Sequence, residues 1–260
     1  MITCGAMLVQ SLTGFGGALL ALPLFALCLN VKQAVITFTL LQVVLNLILI
    51  IEARRHVQWK LVFMLLIGGL IGVPIGAYGL ATLPTSGIRL IISVLTLIFG
   101  LLFLMNVKIR VRPTIANQVG TGLLSGLLGG AIAACGPPVT IYVMAQGWDK
   151  GAFRSTQLTI FTCVWAVASF SYLTMGLVTK PVITAFAFAI VPAAAASIAG
   201  LLLHRRISAP IFRLLTIWLI VLAGLGGLIR FAFHRGENSS TTTKPSVQQS
   251  AAVHRSESGL

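Results

Sequence analysis

Long uncharged, mainly apolar stretches separated by short polar or basic loops make up most of the chain. They run from Met1 to Val31, Gln33 to Ile51, Leu61 to Ile88, Leu90 to Val107, Pro113 to Trp148, Ser155 to Thr179, Pro181 to Leu203 and Leu214 to Ile229. About 20 apolar residues suffice to cross a hydrocarbon core roughly 30 Å thick. None of the stretches alternates as a barrel strand does, and backbone groups in lipid must pair within their own segment, so the stretches are predicted to be helices. The expected fold is all-α: a polytopic membrane protein with about eight transmembrane segments. From about residue 234 the chain turns to Ser, Thr, Gln, Glu and Lys. That composition buries too little apolar surface to offset its ordering entropy, so residues 234–260 are expected to be a disordered polar tail.

Composition sharpens this picture. Hydrophobic residues make up 57% and charged residues 8% of the chain, and the formal charge is +14. Soluble domains carry about 25% charged residues. A soluble enzyme and a basic nucleic-acid binder are thereby excluded, and no nucleic-acid partner is expected. The N-terminus lacks a basic n-region, and its apolar run exceeds signal-peptide length, so it reads as a retained first span. Cys4, Cys28, Cys135 and Cys163 have no CxxC spacing, and His56, His204, His234 and His254 lack the four-residue spacing of a helical zinc site. No metal, cofactor or catalytic residue is expected. An intramembrane serine hydrolase would need a GxSxG turn and a histidine at depth, and neither is present.

Segments 1 and 5 differ from the rest. Each holds about 31 uncharged residues, and a straight helix of that length would measure about 46 Å, well over the core thickness. Segment 1 reads Ser11-Leu12-Thr13-Gly14-Phe15-Gly16-Gly17 followed by Pro23, and segment 5 reads Ser125-Gly126-Leu127-Leu128-Gly129-Gly130 followed by Cys135-Gly136-Pro137-Pro138. Glycine and proline both oppose a continuous helix. Superposing Gly16-Gly17 on Gly129-Gly130 aligns the interruptions in two repeats of four segments. Interrupted segments at matching places in two halves point to a transporter's binding site. Glycines also serve close helix packing, which is the reading preferred for Gly68, Gly69, Gly72, Gly76 and Gly79 of segment 3. Pro74 and Pro192 read as simple kinks.

Basic clusters follow segment 2 (Arg54, Arg55, Lys60), segment 4 (Lys108, Arg110, Arg112) and segment 7 (Arg205, Arg206, Arg213). Such clusters collect on the cytoplasmic side. If every segment crosses once, the third cluster falls opposite the first two. The conflict vanishes if segment 5 enters and leaves on one face, or crosses twice, around Cys135-Gly136-Pro137-Pro138.

The four acids, Glu52, Asp149, Glu237 and Glu257, all lie outside the apolar runs. There is thus no cation ligand or carboxylate proton relay at depth. A broken helix, in contrast, presents free N–H groups at the positive end of its dipole, which suits an anion. Ser11, Thr13, Gln118, Thr121, Ser125 and Thr140 could complete a polar cradle, although each could also be satisfied by its own helix. Arg154, which follows segment 5, could steer an anion or simply anchor the positive side.

The motifs Gly14-Phe15-Gly16-Gly17 to Pro23 and Gly126-Leu127-Leu128-Gly129-Gly130 to Gly136-Pro137-Pro138, the loop Arg54-Arg55-His56-Val57-Gln58-Trp59-Lys60 and Phe153-Arg154-Ser155-Thr156 resemble, in order and spacing, the TauE/SafE-type sulfite exporter family over roughly residues 5–233. The resemblance implies a two-repeat, multi-pass transporter of the cytoplasmic membrane that moves sulfite, a sulfonate or a related anion. Cys135 departs from the Gly or Ser expected before Gly-Pro-Pro.

The resulting division is a first membrane repeat over 1–106, a basic loop over 107–117, a second repeat over 118–233 and the tail. Thr13, Gly14, Gly16, Gly17, Ser125, Gly129, Gly130, Cys135, Gly136, Pro137, Pro138 and Arg154 are the candidate substrate-binding residues. The expected partners are a small anionic substrate and the lipid bilayer, and a homo-oligomer is compatible with the sequence. A non-transporting membrane scaffold is the alternative.

Overall fold

A computed structural model describes residues 30–53, 56–105, 111–204 and 225. Segment 1 up to residue 29 and all of segment 8 except residue 225 lie outside these described residues, as does the tail. Within them the helices are α1 (Val31–Ala53), α2 (Trp59–Thr82), α3 (Thr85–Leu104), α4 (Ile115–Ile132), α5 (Gly136–Ala145), α6 (Lys150–Thr174) and α7 (Lys180–His204). Four of them, α2, α3, α6 and α7, are long and apolar enough to cross a bilayer, and α1 carries a shorter apolar stretch over Val31–Leu47. The protein is a helical, multi-pass membrane protein, as its sequence predicts.

One boundary moves. The charge of Arg89 suggests a division between segments 3 and 4 at that residue, but α2 ends at Thr82 and α3 starts at Thr85. Leu83 precedes Pro84 and is extended (φ −66°, ψ 146°), while its N–H still bonds Gly79 O. The proline ring excludes the helical region for the residue before it, so proline rather than charge sets the turn. Arg89 falls inside α3.

The most extensive helix contact joins α2 to α4. Gly68, Gly72 and Gly76 of α2 face Gly122, Gly126 and Gly130 of α4, each set repeating every four residues. A Cβ on Gly68, Gly72 or Gly76 would collide with the carbonyl of Val119, Leu123 or Leu127 respectively. In return, a Cβ on Gly122, Gly126 or Gly130 would collide with the carbonyl of Leu65, Gly69 or Val73. The two backbones therefore touch along small-xxx-small stripes. Both series ascend together, so α4 runs parallel to α2 and starts on the same face of the membrane.

Segment 5 then turns back. At Cys135 the chain has returned to the level of Ser125, whose Oγ donates to Cys135 O at 2.7 Å. Ten residues of α5 carry it back towards its origin, where the Gln146 side-chain amide reaches Val111 O at 3.4 Å. Next, α6 begins beside the start of α2, with Gln58 N–H donating to Thr156 Oγ1 at 3.0 Å. The pair α4 and α5 is a hairpin that enters and leaves on one face. Its longer arm, α4, has 18 residues and rises about 27 Å. With this reversal the ends of α1, α3 and α7, which lead into the three basic clusters, share one face. The conflict raised by the charge pattern is resolved.

Two outcomes follow. In a background without native cysteines, Val57→Cys, Pro113→Cys and Gly147→Cys should label from one side of the membrane and Leu177→Cys from the other. Opposite labelling of 113 and 147 would mean that segment 5 crosses once. For the glycine contact, Gly72→Val should destabilise by about 2 kcal/mol or more in a detergent unfolding assay, because overpacking here meets backbone. Gly79→Ala, whose added Cβ would meet nothing closer than Leu83 Cδ1 at 3.9 Å, should be close to neutral.

Candidate anion site at the hairpin tip

The tip of the hairpin, Ala133-Ala134-Cys135, is fully buried. A helix that stops there strands its last carbonyls away from water, and each must find a donor. Ala133 adopts the left-handed conformation (φ 53°, ψ 18°), and its N–H returns to Gly129 O at 3.0 Å. Ala134 N–H returns to Leu128 O at 3.2 Å. For a residue with a Cβ this backbone is strained by about 1–2 kcal/mol, and burial on all sides holds it in place.

Two side chains reach carbonyls at the α4 end, and a third bonds the carbonyl of Cys135 at the start of α5. Tyr172 of α6 donates its hydroxyl to Gly130 O at 2.6 Å, Trp165 Nε1 points to Ala133 O at 3.4 Å, and Ser125 Oγ takes Cys135 O. Gly130 O and Ala133 O at the α4 end thus have dedicated side-chain donors. Further down, Gln157 Nε2 donates to Thr140 Oγ1, tying α5 to α6.

At the other side of the tip, α5 begins without a side-chain cap. Of the donors that a first helical turn offers, Pro137 and Pro138 have none, so the N–H groups of Cys135 and Gly136 remain. The prolines preset the helical φ at this start. Among the described residues the tip therefore combines donors on carbonyls of the α4 end with an α5 start that has no side-chain cap, and the positive pole of α5 suits negative charge.

The sequence-predicted residues divide accordingly. Ser125, Gly129, Cys135, Gly136, Pro137 and Pro138 come together at the tip, and a Cβ on Gly129 would meet Val164 Cγ1 at 2.8 Å and Cys135 Cβ at 3.1 Å. Gly130 faces α2, where close approach of the backbones already requires glycine. Arg154 is partly buried near the start of α6, about 16 Å of helix rise from Trp165. Thr13, Gly14, Gly16 and Gly17 lie outside the described residues. Ser125 does not bond its own helix, as serines in helices commonly do, but the far arm of the hairpin.

Sequence reasoning missed Gln157, Trp165 and Tyr172. Their spacing of eight and seven residues puts them on one face of segment 6, a signal that could have been read. By contrast, Ser155, Thr159 and Thr162 donate to carbonyls of their own helix.

A family model, Sulfite exporter TauE/SafE, matches residues 1–226. The chain belongs to the sulfite exporter TauE/SafE family. No curated protein and no solved structure matches it. As a member of the TauE/SafE family, it is a multi-pass membrane transporter rather than an enzyme, and the hairpin tip lies inside the matched region.

Tyr172→Phe should leave the buried Gly130 carbonyl without its side-chain donor and cost about 1–3 kcal/mol. Thr162→Ala removes a hydroxyl that serves only Leu158 O of its own turn and should change stability by less than about 0.5 kcal/mol. Denaturant unfolding in mixed micelles separates the two.

Proposed function

We propose that the protein is a secondary carrier or facilitator for a small oxyanion of the sulfite or sulfonate class, received at the amide end of α5. The observation that carries this reading is the asymmetry of the hairpin tip. Tyr172 and Trp165 serve carbonyls at the α4 end and Ser125 ties down the carbonyl of the turn, while among the described residues the α5 start has no side-chain cap. Neither described acid competes for the site: Glu52 ends α1 and Asp149 caps α6, where its Oδ2 accepts from Gly151 and Ala152 N–H.

The packing also supports two four-segment repeats. If the halves are superposed, segment 2 maps onto segment 6 and segment 3 onto segment 7. The contact of α2 with α6 then corresponds to that of α7 with α1, and both pairs are packed. A hairpin that returns to its own face inverts one half relative to the other, as in many secondary transporters. The face bearing the three basic clusters is then cytoplasmic, and the cell membrane is the fitting location. There an anion moving outward gains about 2.3 kcal/mol per charge for each 100 mV, so export requires no coupling ion.

In proteoliposomes the protein should release preloaded radiolabelled sulfite faster than empty vesicles do, with competition by taurine or methanesulfonate and none by choline. Gly136→Val, which places a branched side chain beside the two amides, should reduce the flux at least tenfold. Absence of flux for every anion in a panel of sulfite, sulfate, thiosulfate and taurine would refute the reading.

A further inference from the structure

Three described cations lie at the face opposite the basic clusters: Lys32 at the start of α1, Arg89 in α3 and Lys180 at the start of α7. Two have a ready account. The Lys32 ammonium donates to Ala81 O at 2.8 Å and so serves the carbonyl end of α2. Lys180 is exposed. Arg89 has neither role.

Arg89 sits in the second turn of α3 and shares its buried face with Ser93 and Thr96, four and seven residues further on, which are 5% and 1% exposed. Its Nε is buried and has no hydrogen-bond partner among the described residues. The described acids are at the other face, and Glu237 and Glu257 lie outside the described residues. An interfacial anchor would direct its guanidinium outward to headgroups, whereas Arg89, partly exposed as a residue, keeps its Nε buried on the side of α3 that bears Ser93 and Thr96. It also occupies the positive half of the α3 dipole, which does not stabilise a cation but adds to the attraction for an anion. The same helix packs on α1 and on α4, the first arm of the hairpin.

We propose that Arg89 is a specificity-determining residue that receives the transported oxyanion at the mouth opposite the basic face. Its planar fork of N–H donors suits a pair of sulfite or sulfonate oxygens. Ser93 and Thr96 continue the polar stripe inward. This inference rests on the proposed anion transport, and a lipid phosphate has the same oxyanion chemistry, so both enter the test.

The experiment compares wild type, Arg89→Lys and Arg89→Gln for sulfite flux in vesicles of phosphatidylcholine alone and of phosphatidylcholine with phosphatidylglycerol. Arg89→Gln should raise the KM for sulfite at the opposite face at least tenfold, with maximal flux within threefold, in both lipids. Arg89→Lys, which keeps the charge but loses the fork, should raise KM three- to fivefold. Unchanged KM in a transporting protein overturns the role of Arg89 alone. A defect confined to vesicles with phosphatidylglycerol makes Arg89 a lipid contact and likewise overturns it. No flux by wild type removes the transport reading, and this inference with it. Should Arg89→Gln fail to insert, a KM for Arg89→Lys within twofold of wild type is decisive against the proposal.

Discussion

A chain that reverses inside a bilayer must pair every peptide group it exposes there, because no water is present to do so. At the tip of the α4–α5 hairpin this requirement is met unevenly. On the carbonyl side, Trp165, Tyr172 and the returning N–H groups of Ala133 and Ala134 serve four carbonyls at the end of α4, and Ser125 serves that of Cys135. The amide side has lost two donors to Pro137 and Pro138 and has gained no cap from Cys135. The residual polarity is positive, and the proposed binding of an anion rests on it.

The tip keeps its position in part because α4 is fixed along α2. Glycines at every fourth position on both helices let the backbones meet with no side chains between them, so that α4 can shift little without clashing. From the other side, Trp165 and Tyr172 anchor the turn to α6, and Gln157 ties Thr140 lower down. The hairpin is held between α2 and α6. Motion that presents the site to alternate faces would then involve these helices as a body rather than the tip alone.

Much of this was legible in the sequence. Charge-free length and the glycine and proline interruptions located the break in segment 5, and the misplaced third basic cluster indicated that the segment returns to its own face. Family membership was legible in the same motifs. Less legible was the partition of the glycines: Gly129 and Gly130 are neighbours in sequence, yet Gly130 packs on α2 while Gly129 lies against Cys135 and Val164. A helix turns by about 100° per residue, so adjacent positions serve different surroundings. The contributions of Trp165 and Tyr172 were hidden because donors to a broken helix come from another segment, and pairing between segments is not written in local pattern. Arg89 was read as a boundary because a charge in an apolar run looks like an end, whereas Pro84 had already made the turn.

The most direct test of the central claim is the position of a bound anion. Diffraction from crystals soaked in selenite, recorded at the selenium edge, should place an anomalous peak within hydrogen-bonding distance of the Cys135 and Gly136 amides. A peak elsewhere with the tip left dry, or an α5 start packed against side chains with no room for an oxyanion, would contradict the account.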